Sequence, residues 1–204
     1  MSARKASIVV RFNKPYGVLS AFRPPSDYQG QTLKDYIEID KDVHAVGRLD
    51  KDSEGLLLLS NDAWLIQRLL EPRFEHPRTY WVQVEQRITD HAVDALRQGV
   101  TLKGYTTRPA EVRRLDPPPD IPPRDPPIRY RKTVPTDWIE LTLREGKNRQ
   151  VRKMTAHVGH PTLRLIRVAI GPITLAGLAL GEWAHLNEDE QHALRKSISM
   201  SKPG

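Results

Sequence analysis

Apolar residues recur along this chain in two periods, and the switches between them mark its elements. Ile8, Val10 and Phe12 alternate with Val9 and Arg11, the period of a strand, and Pro15 and Gly17 end it. Thr32 to Ile37 suits a short helix. Leu56 to Leu59 is a continuous apolar run, as expected of a central strand buried on both faces. Asn61 or Asp62 then stands in place to cap a helix carrying Leu65 and Leu69, which stops near Pro72. Tyr80, Val82 and Val84 alternate with Trp81, Gln83 and Glu85 in another strand, with Tyr80 on the valine face. Thr89 or Asp90 caps a second helix through Val93 and Leu96, and Gly99 closes it.

Residues 117–135 hold eight of the seventeen prolines, which removes backbone donors and rules out a helix or a central strand there. The stretch reads as an extended loop: a spacer, or, through Arg124, Arg129, Arg131 and Lys132, a phosphate-contacting arm. Beyond it, Ile139, Leu141 and Leu143 alternate with Trp138, Glu140 and Thr142 in a strand. The turn EGKN leads into a helix, RQVRKMTAHVG, with Val151, Met154 and Val158 on its apolar side. Arg149, Arg152 and Lys153 share the other side, because residues three and four apart are helical neighbours. Gly159 and Pro161 close this helix. Leu163, Leu165, Val168 and Ile170 begin a further strand with Arg164 and Arg167 interleaved. After residue 187 the pattern fades, and a frayed polar tail is expected over 188–204. The expected division is an N-terminal segment 1–7, one domain over 8–187 built of two halves sharing a sheet, and that tail. Strands and helices mixed with hairpin-length loops predict an α+β fold with a largely antiparallel, mixed sheet.

Composition narrows the function. At 204 residues the chain is long enough to bury a core. Its 32 Lys and Arg against 25 Asp and Glu leave a net charge of +7, which suggests a polyanionic partner, with nucleic acid leading. The absence of cysteine excludes a disulfide framework, a Cys-ligated zinc, an iron–sulfur cluster and a thiolate nucleophile. The seven histidines lack HExxH or similar ligand spacing, so no metal dependence is expected. The first fifteen residues carry no long apolar core, and the run Leu56 to Leu59 is far too short to span a bilayer. A cytoplasmic protein without membrane contact is expected, a monomer by default.

The candidate chemistry centres on residues 47–55, GRLDKDSEG. Arg48 stands two positions before Asp50, directly ahead of the apolar run. Asp50, Asp52 and Glu54 alternate, which suits a solvated acidic turn, a nucleophilic or basic Asp50, or a metal cradle. Arg48 and Lys51 already place positive charge among these acids, which disfavours the cradle. The basic helix side at Arg149, Arg152 and Lys153 suits a solvated or phosphate-facing surface. Alternatively one of its guanidinium groups meets Asp50 and keeps that carboxylate ionised. Tyr80 is either core or a stacking floor for a nucleobase.

Four blocks in order, GRLDKDSEGLLLLSND, RTYWVQV, LREGKNRQVRKM and LRLIRVAIGPITL, resemble the RsuA-like family of pseudouridine synthases. The resemblance runs from about Ile8 to Leu186. It implies the pseudouridine synthase catalytic fold, with helices and loops flanking a sheet around a central RNA-binding cleft. It also implies isomerisation of a uridine in 23S rRNA without metal or cofactor, and, since the catalytic pattern starts near Ile8, no preceding S4 domain. By the same resemblance Asp50 is the essential carboxylate, Tyr80 packs on the target base and Arg152 pairs with the aspartate. Arg48 fills the gap left by the flipped nucleotide. Arg149, Lys153, Arg164 and Arg167 are further candidate RNA contacts. The rival readings are a non-catalytic rRNA-binding or ribosome-assembly protein and, on Asp50, Asp52 and Glu54, a metal-dependent nuclease or phosphotransferase. The zero cysteine count excludes a uracil methyltransferase of the cysteine-nucleophile type.

Overall fold

Residues 7–128 and 133–200 are described by the computed structural model. In chain order they form β1 (Val9–Lys14), β2 (His44–Ala45), β3 (Glu54–Ser60), α1 (Ala63–Leu70), β4 (Arg78–Glu85) and α2 (Asp90–Gln98). There follow β5 (Thr101–Leu102), β6 (Tyr105–Thr106), β7 (Glu111–Arg114), β8 (Thr136–Leu143) and α3 (Gln150–His157). β9 (Thr162–Ile170), β10 (Ile173–Thr174), β11 (Trp183–His185) and α4 (Glu188–Met200) complete the order. The fold is α+β with mostly antiparallel strands, as the pattern predicts. The chain divides into two compact units, Met1–His76 with Ala169–Gly204, and Pro77–Val168. The boundary falls within β9.

In the first unit β1 lies between β11 and β3, antiparallel to both, with Val10 opposite Leu59 and Phe12 opposite Leu57. Short β2 pairs with β3 as well. The leucine run is legible as a central strand because both faces of β3 are covered. Leu56 and Leu58 pack with Leu65 and Leu69 of α1 and Leu194 and Ile198 of α4. Leu57 and Leu59 pack with Val10, Phe12, Leu33, Ile37 and Val43. Burying each leucine stabilises the unit by roughly 1.5–3 kcal/mol. Helix α1 starts where expected: the Asp62 side chain accepts the Leu65 N–H at 3.1 Å and satisfies one orphan amide of its first turn. The expected short helix at Thr32–Ile37 is a 3-10 turn over Leu33–Asp35.

Two expectations are corrected in this unit. The segment from 188 is not a frayed tail over its described part but the helix α4. Its start is a reciprocal capping box: Asn187 Oδ1 accepts the Glu190 N–H, and Glu190 accepts the Asn187 N–H. Leu194 and Ile198, four residues apart, bury the apolar side of the helix. Glu54, grouped with a solvated acidic turn, is instead the first residue of β3 and is buried.

In the second unit β4 sits between β9 and β8, and β7 lines the far side of β8. The β4–β8 register puts Tyr80 opposite Leu141 and Val82 opposite Ile139. Val82, Val84, Ile139, Leu141 and Val112 form one apolar face, covered by Val93 and Leu96 of α2 and Val151 and Met154 of α3. Thr89 caps α2 by accepting the Ala92 N–H. Gly99 ends it at φ 91°, where an added Cβ would stand 2.4 Å from the Thr107 carbonyl oxygen, so only glycine fits. The described residues of 117–135 form neither helix nor strand before β8 begins at Thr136. Arg129, Arg131 and Lys132 of the suggested arm lie outside the described residues. The basic helix starts one residue later than expected: Arg149 flanks α3 in the left-handed region, φ 52° and ψ 33°, and so does not continue the helical side of Arg152 and Lys153.

Candidate active site

Asp50 belongs to the first unit, in the segment that joins β2 to β3. Leu49 is buried and its two backbone groups are held by one side chain. The Ser20 hydroxyl donates to the Leu49 carbonyl at 2.8 Å and accepts the Leu49 N–H at 3.2 Å. One residue past Asp50, the Lys51 carbonyl accepts the Gly17 N–H at 2.8 Å, and the Lys51 ammonium lies 5.1 Å from the centre of the Tyr28 ring. The Asp50 carbonyl accepts the Ser53 N–H at 3.0 Å, which closes the turn just before β3. Asp50 is therefore fixed on both sides by backbone contacts and is half-buried, and Arg48 beside it is exposed. Among the described residues no group of three or more His, Asp or Glu side chains is placed to hold a metal ion.

The Pro15–Ser20 segment that clamps this turn is itself anchored. Lys14 is fully buried at the end of β1, and its ammonium donates to the Pro15 and Val18 carbonyls at 2.9 and 2.8 Å. A buried ammonium is tolerated only when such acceptors replace its water.

Tyr80, Arg149, Arg152, Lys153, Arg164 and Arg167 belong to the second unit. Arg167, on β9, is buried and its guanidinium donates to the Tyr80 hydroxyl on the adjacent β4. Burial pulls the Arg167 guanidinium below its ordinary range; neighbouring Tyr80 opposes that shift and Arg78 adds to it. Arg78, two residues before Tyr80 on the same strand face, also lies over the turn that follows β8. A Cβ at Gly146 would stand 3.2 Å from its Nη1. Tyr80, Arg78 and Arg167 are thus brought together, and Arg78 was not singled out from the sequence. Strand alternation places it on the Tyr80 face, and that was the available signal.

Arg164 and Arg167, expected as RNA contacts, are buried, at 6% and 5% exposure. Arg164 Nη1 donates to the Pro122 carbonyl at 2.8 Å and so ties β9 to the proline-rich segment. Arg152 is half-buried on α3, with Nη1 3.4 Å from the Thr162 carbonyl oxygen at the start of β9. Lys153 and Arg149 are exposed. The second unit therefore offers one buried guanidinium on Tyr80, one half-buried guanidinium on α3 and a solvent-facing cationic pair.

A model of the RNA pseudouridylate synthase family matches residues 8–157. The chain belongs to this family. It is therefore an isomerase acting on RNA. Among curated relatives, "Ribosomal large subunit pseudouridine synthase E" of Xanthomonas axonopodis pv. citri is 56% identical over 84% of this chain and 90% of its own length. The protein of that name from Vibrio parahaemolyticus is 50% identical over 87% of this chain and 73% of its own length. A solved pseudouridylate synthase has the same fold, with a TM-score of 0.76 at 25% identity, covering 95% of this chain and 76% of the other. The family match spans the Asp50 turn, β4 with Tyr80 and all of α3, including Arg152, but stops before Arg164 and Arg167.

Proposed function

We propose that the chain isomerises a uridine of large-subunit ribosomal RNA, 23S rRNA, to pseudouridine, with Asp50 as its catalytic carboxylate. The observation that carries the substrate reading is the 56% identity, over most of both chains, to a relative named for the large ribosomal subunit. The surplus of cationic side chains fits a polyanionic partner. The reading takes the protein as a cytoplasmic monomer that needs neither metal nor cofactor.

The target base must leave its stack before C1′ or C6 is accessible, at a cost of a few kcal/mol that substitute stacking offsets. Tyr80 supplies an aromatic surface for that, and its hydroxyl is held by Arg167, so the ring has a fixed orientation. Arg48 takes the place vacated by the flipped nucleotide. Arg149 and Lys153 contact phosphates, while buried Arg164 and Arg167 hold RNA-facing elements in place. In this reading the Arg152 guanidinium is the cationic partner of the Asp50 carboxylate. The carboxylate then attacks the sugar or C6 of the base, or assists loss of a sugar proton. The uracil rotates and rejoins through C5, whose hydrogen is released.

That release is the test. Wild type and Asp50→Ala are incubated, with EDTA present, with 23S rRNA carrying tritium at uridine C5. Tritium release by wild type alone, with both proteins binding the RNA, is expected. Tight binding without release by either would favour the rRNA-binding rival, and loss of binding by Asp50→Ala would make Asp50 a structural residue.

A further inference from the structure

We propose that Gln150 is a positioning residue for the reaction, acting through the arginines on either side of it. The inference rests on the reading above, in which Arg152 works with Asp50. Six residues, 144–149, connect β8 to α3, and five of them are exposed. They include Gly146 and carry no apolar side chain to anchor them. Gln150, the first residue of α3, is the buried one, at 3% exposure. A buried amide contributes little by leaving water unless its hydrogen bonds are replaced.

They are replaced by the connection itself. Gln150 Oε1 accepts the Lys147 N–H at 3.0 Å, and the Gln150 N–H donates to the Lys147 carbonyl at 3.1 Å. Gln150 Nε2 donates to Glu145 Oε1 and also lies 3.7 Å from the Met154 sulfur, one turn along α3. Glu145 Oε1 in turn accepts the Arg108 N–H at 2.9 Å, which fastens the connection to the segment between β6 and β7. The Lys147 ammonium lies 3.7 Å from the Tyr105 ring centre, a second fastening to the β5–β6 hairpin.

Two features show what this latch controls. Arg149 is held at φ 52°, a conformation unfavourable for a non-glycine residue that persists only where its surroundings over-determine it. Moreover, no side chain at the Arg149 cap position bonds the first turn of α3, so the usual device for fixing a helix start is missing. The Gln150 latch fills that role. Arg152 is the third helical residue. If α3 started one residue earlier or later, Arg152 would swing about 100° around the helix axis, since a turn takes 3.6 residues. Gln150 therefore sets the direction of the Arg152 guanidinium and the backbone twist at Arg149.

The test compares kcat and KM for tritium release by wild type, Gln150→Ala, Gln150→Glu, the exchange Glu145→Gln with Gln150→Glu, and Arg152→Ala. Each protein is also melted, so that rates are taken well below its unfolding range. Gln150→Ala is expected to lower kcat by about ten- to a hundredfold, the effect of a small misplacement of a reacting group. Its KM is expected to stay within about threefold, because at most the one phosphate contact of Arg149 is disturbed and that of Lys153 is kept. Gln150→Glu sets two carboxylates against each other and should lose as much. The exchange restores one donor and one acceptor in the opposite order, and most of kcat should return. Wild-type kcat in Gln150→Ala, or no recovery in the exchange, with Arg152→Ala inactive, would overturn this inference alone. Full activity of Arg152→Ala would overturn the reading beneath it as well.

Discussion

Replacing Ser20 by alanine removes a single oxygen, yet that oxygen serves both backbone groups of Leu49, the residue before Asp50. Ser20 and Leu49 are both buried, so water does not readily take over either bond. A buried donor or acceptor left unpaired costs about 1–3 kcal/mol, and Ser20→Ala leaves one of each. With partial relaxation of the turn, a destabilisation of about 2–4 kcal/mol follows. For a chain of this length that corresponds to a fall in Tm of roughly 5–15 °C.

The functional consequence is separable from the loss of stability. The Leu49 carbonyl and N–H fix the chain on one side of Asp50, and the Gly17 to Lys51 bond fixes it on the other. With one of the two clamps gone the carboxylate samples a wider range of positions, and kcat for tritium release should fall about tenfold or more. Circular dichroism melts give the stability change. Kinetics well below the variant's unfolding range give kcat on fully folded protein, and RNA binding should hold. A Tm within about 1 °C of wild type with unchanged kcat would refute the reasoning, because it would mean the turn is fixed without this hydroxyl.

Arg152→Ala should reduce turnover at least about a hundredfold, whereas exposed Lys153→Ala should stay within about threefold and lower the salt slope of RNA binding by about one; equal, modest losses would return both residues to phosphate contacts. At Asp62, burial opposes ionisation, but the Arg195 hydrogen bond, the Leu65 amide, the charge of Arg195 and the Ser7 hydroxyl outweigh it and hold the carboxyl below its ordinary value of 3.8. A depressed folded pKa contributes stability above that ordinary value and loses it as pH falls through the folded one, so the Tm gap between wild type and Asp62→Asn should close in acid; a gap independent of pH would contradict the Arg195 pairing. Leu194→Ala, which empties a fully buried position, should cost about 2–5 kcal/mol in chemical unfolding, while exposed Lys196→Ala should be nearly silent. Equal silence at both positions would mean that α4 does not pack.

Elements whose own residues carry the burial pattern were legible, and those that depend on a distant partner were not. The leucine run of β3 announces itself because neighbouring layers cover both faces. β7 escaped notice because only Val112 among its four residues is buried; it is a strand because β8 offers it a ladder from Glu111 opposite Thr142 to Arg114 opposite Ile139. β2, β5, β6 and β10 have two residues each, too few for any period. For α4 the signals were present, Asn187 three residues before Glu190 and Leu194 four before Ile198, but charged residues between them hid the stripe.

The site divides along the same line. A carboxylate beside an arginine ahead of a buried strand is a local pattern, and so is an aromatic ring on an alternating face; on those grounds Asp50 and Tyr80 were candidates, beside the plainer readings of a solvated turn and a core ring. Arginine between apolar strand residues reads as solvent-facing, because charged side chains are rarely buried unless paired. Arg164 and Arg167 are the paired exceptions, and their partners, the Pro122 carbonyl and the Tyr80 hydroxyl, are fixed only when distant segments meet. Gln150 is the sharpest case. Nothing in a glutamine at a helix start distinguishes a solvated amide from a latch, and the difference lies in two acceptors and a donor on a connection that has no apolar residue of its own. Polar residues buried at element boundaries are therefore where reading by hydrophobic period is blind.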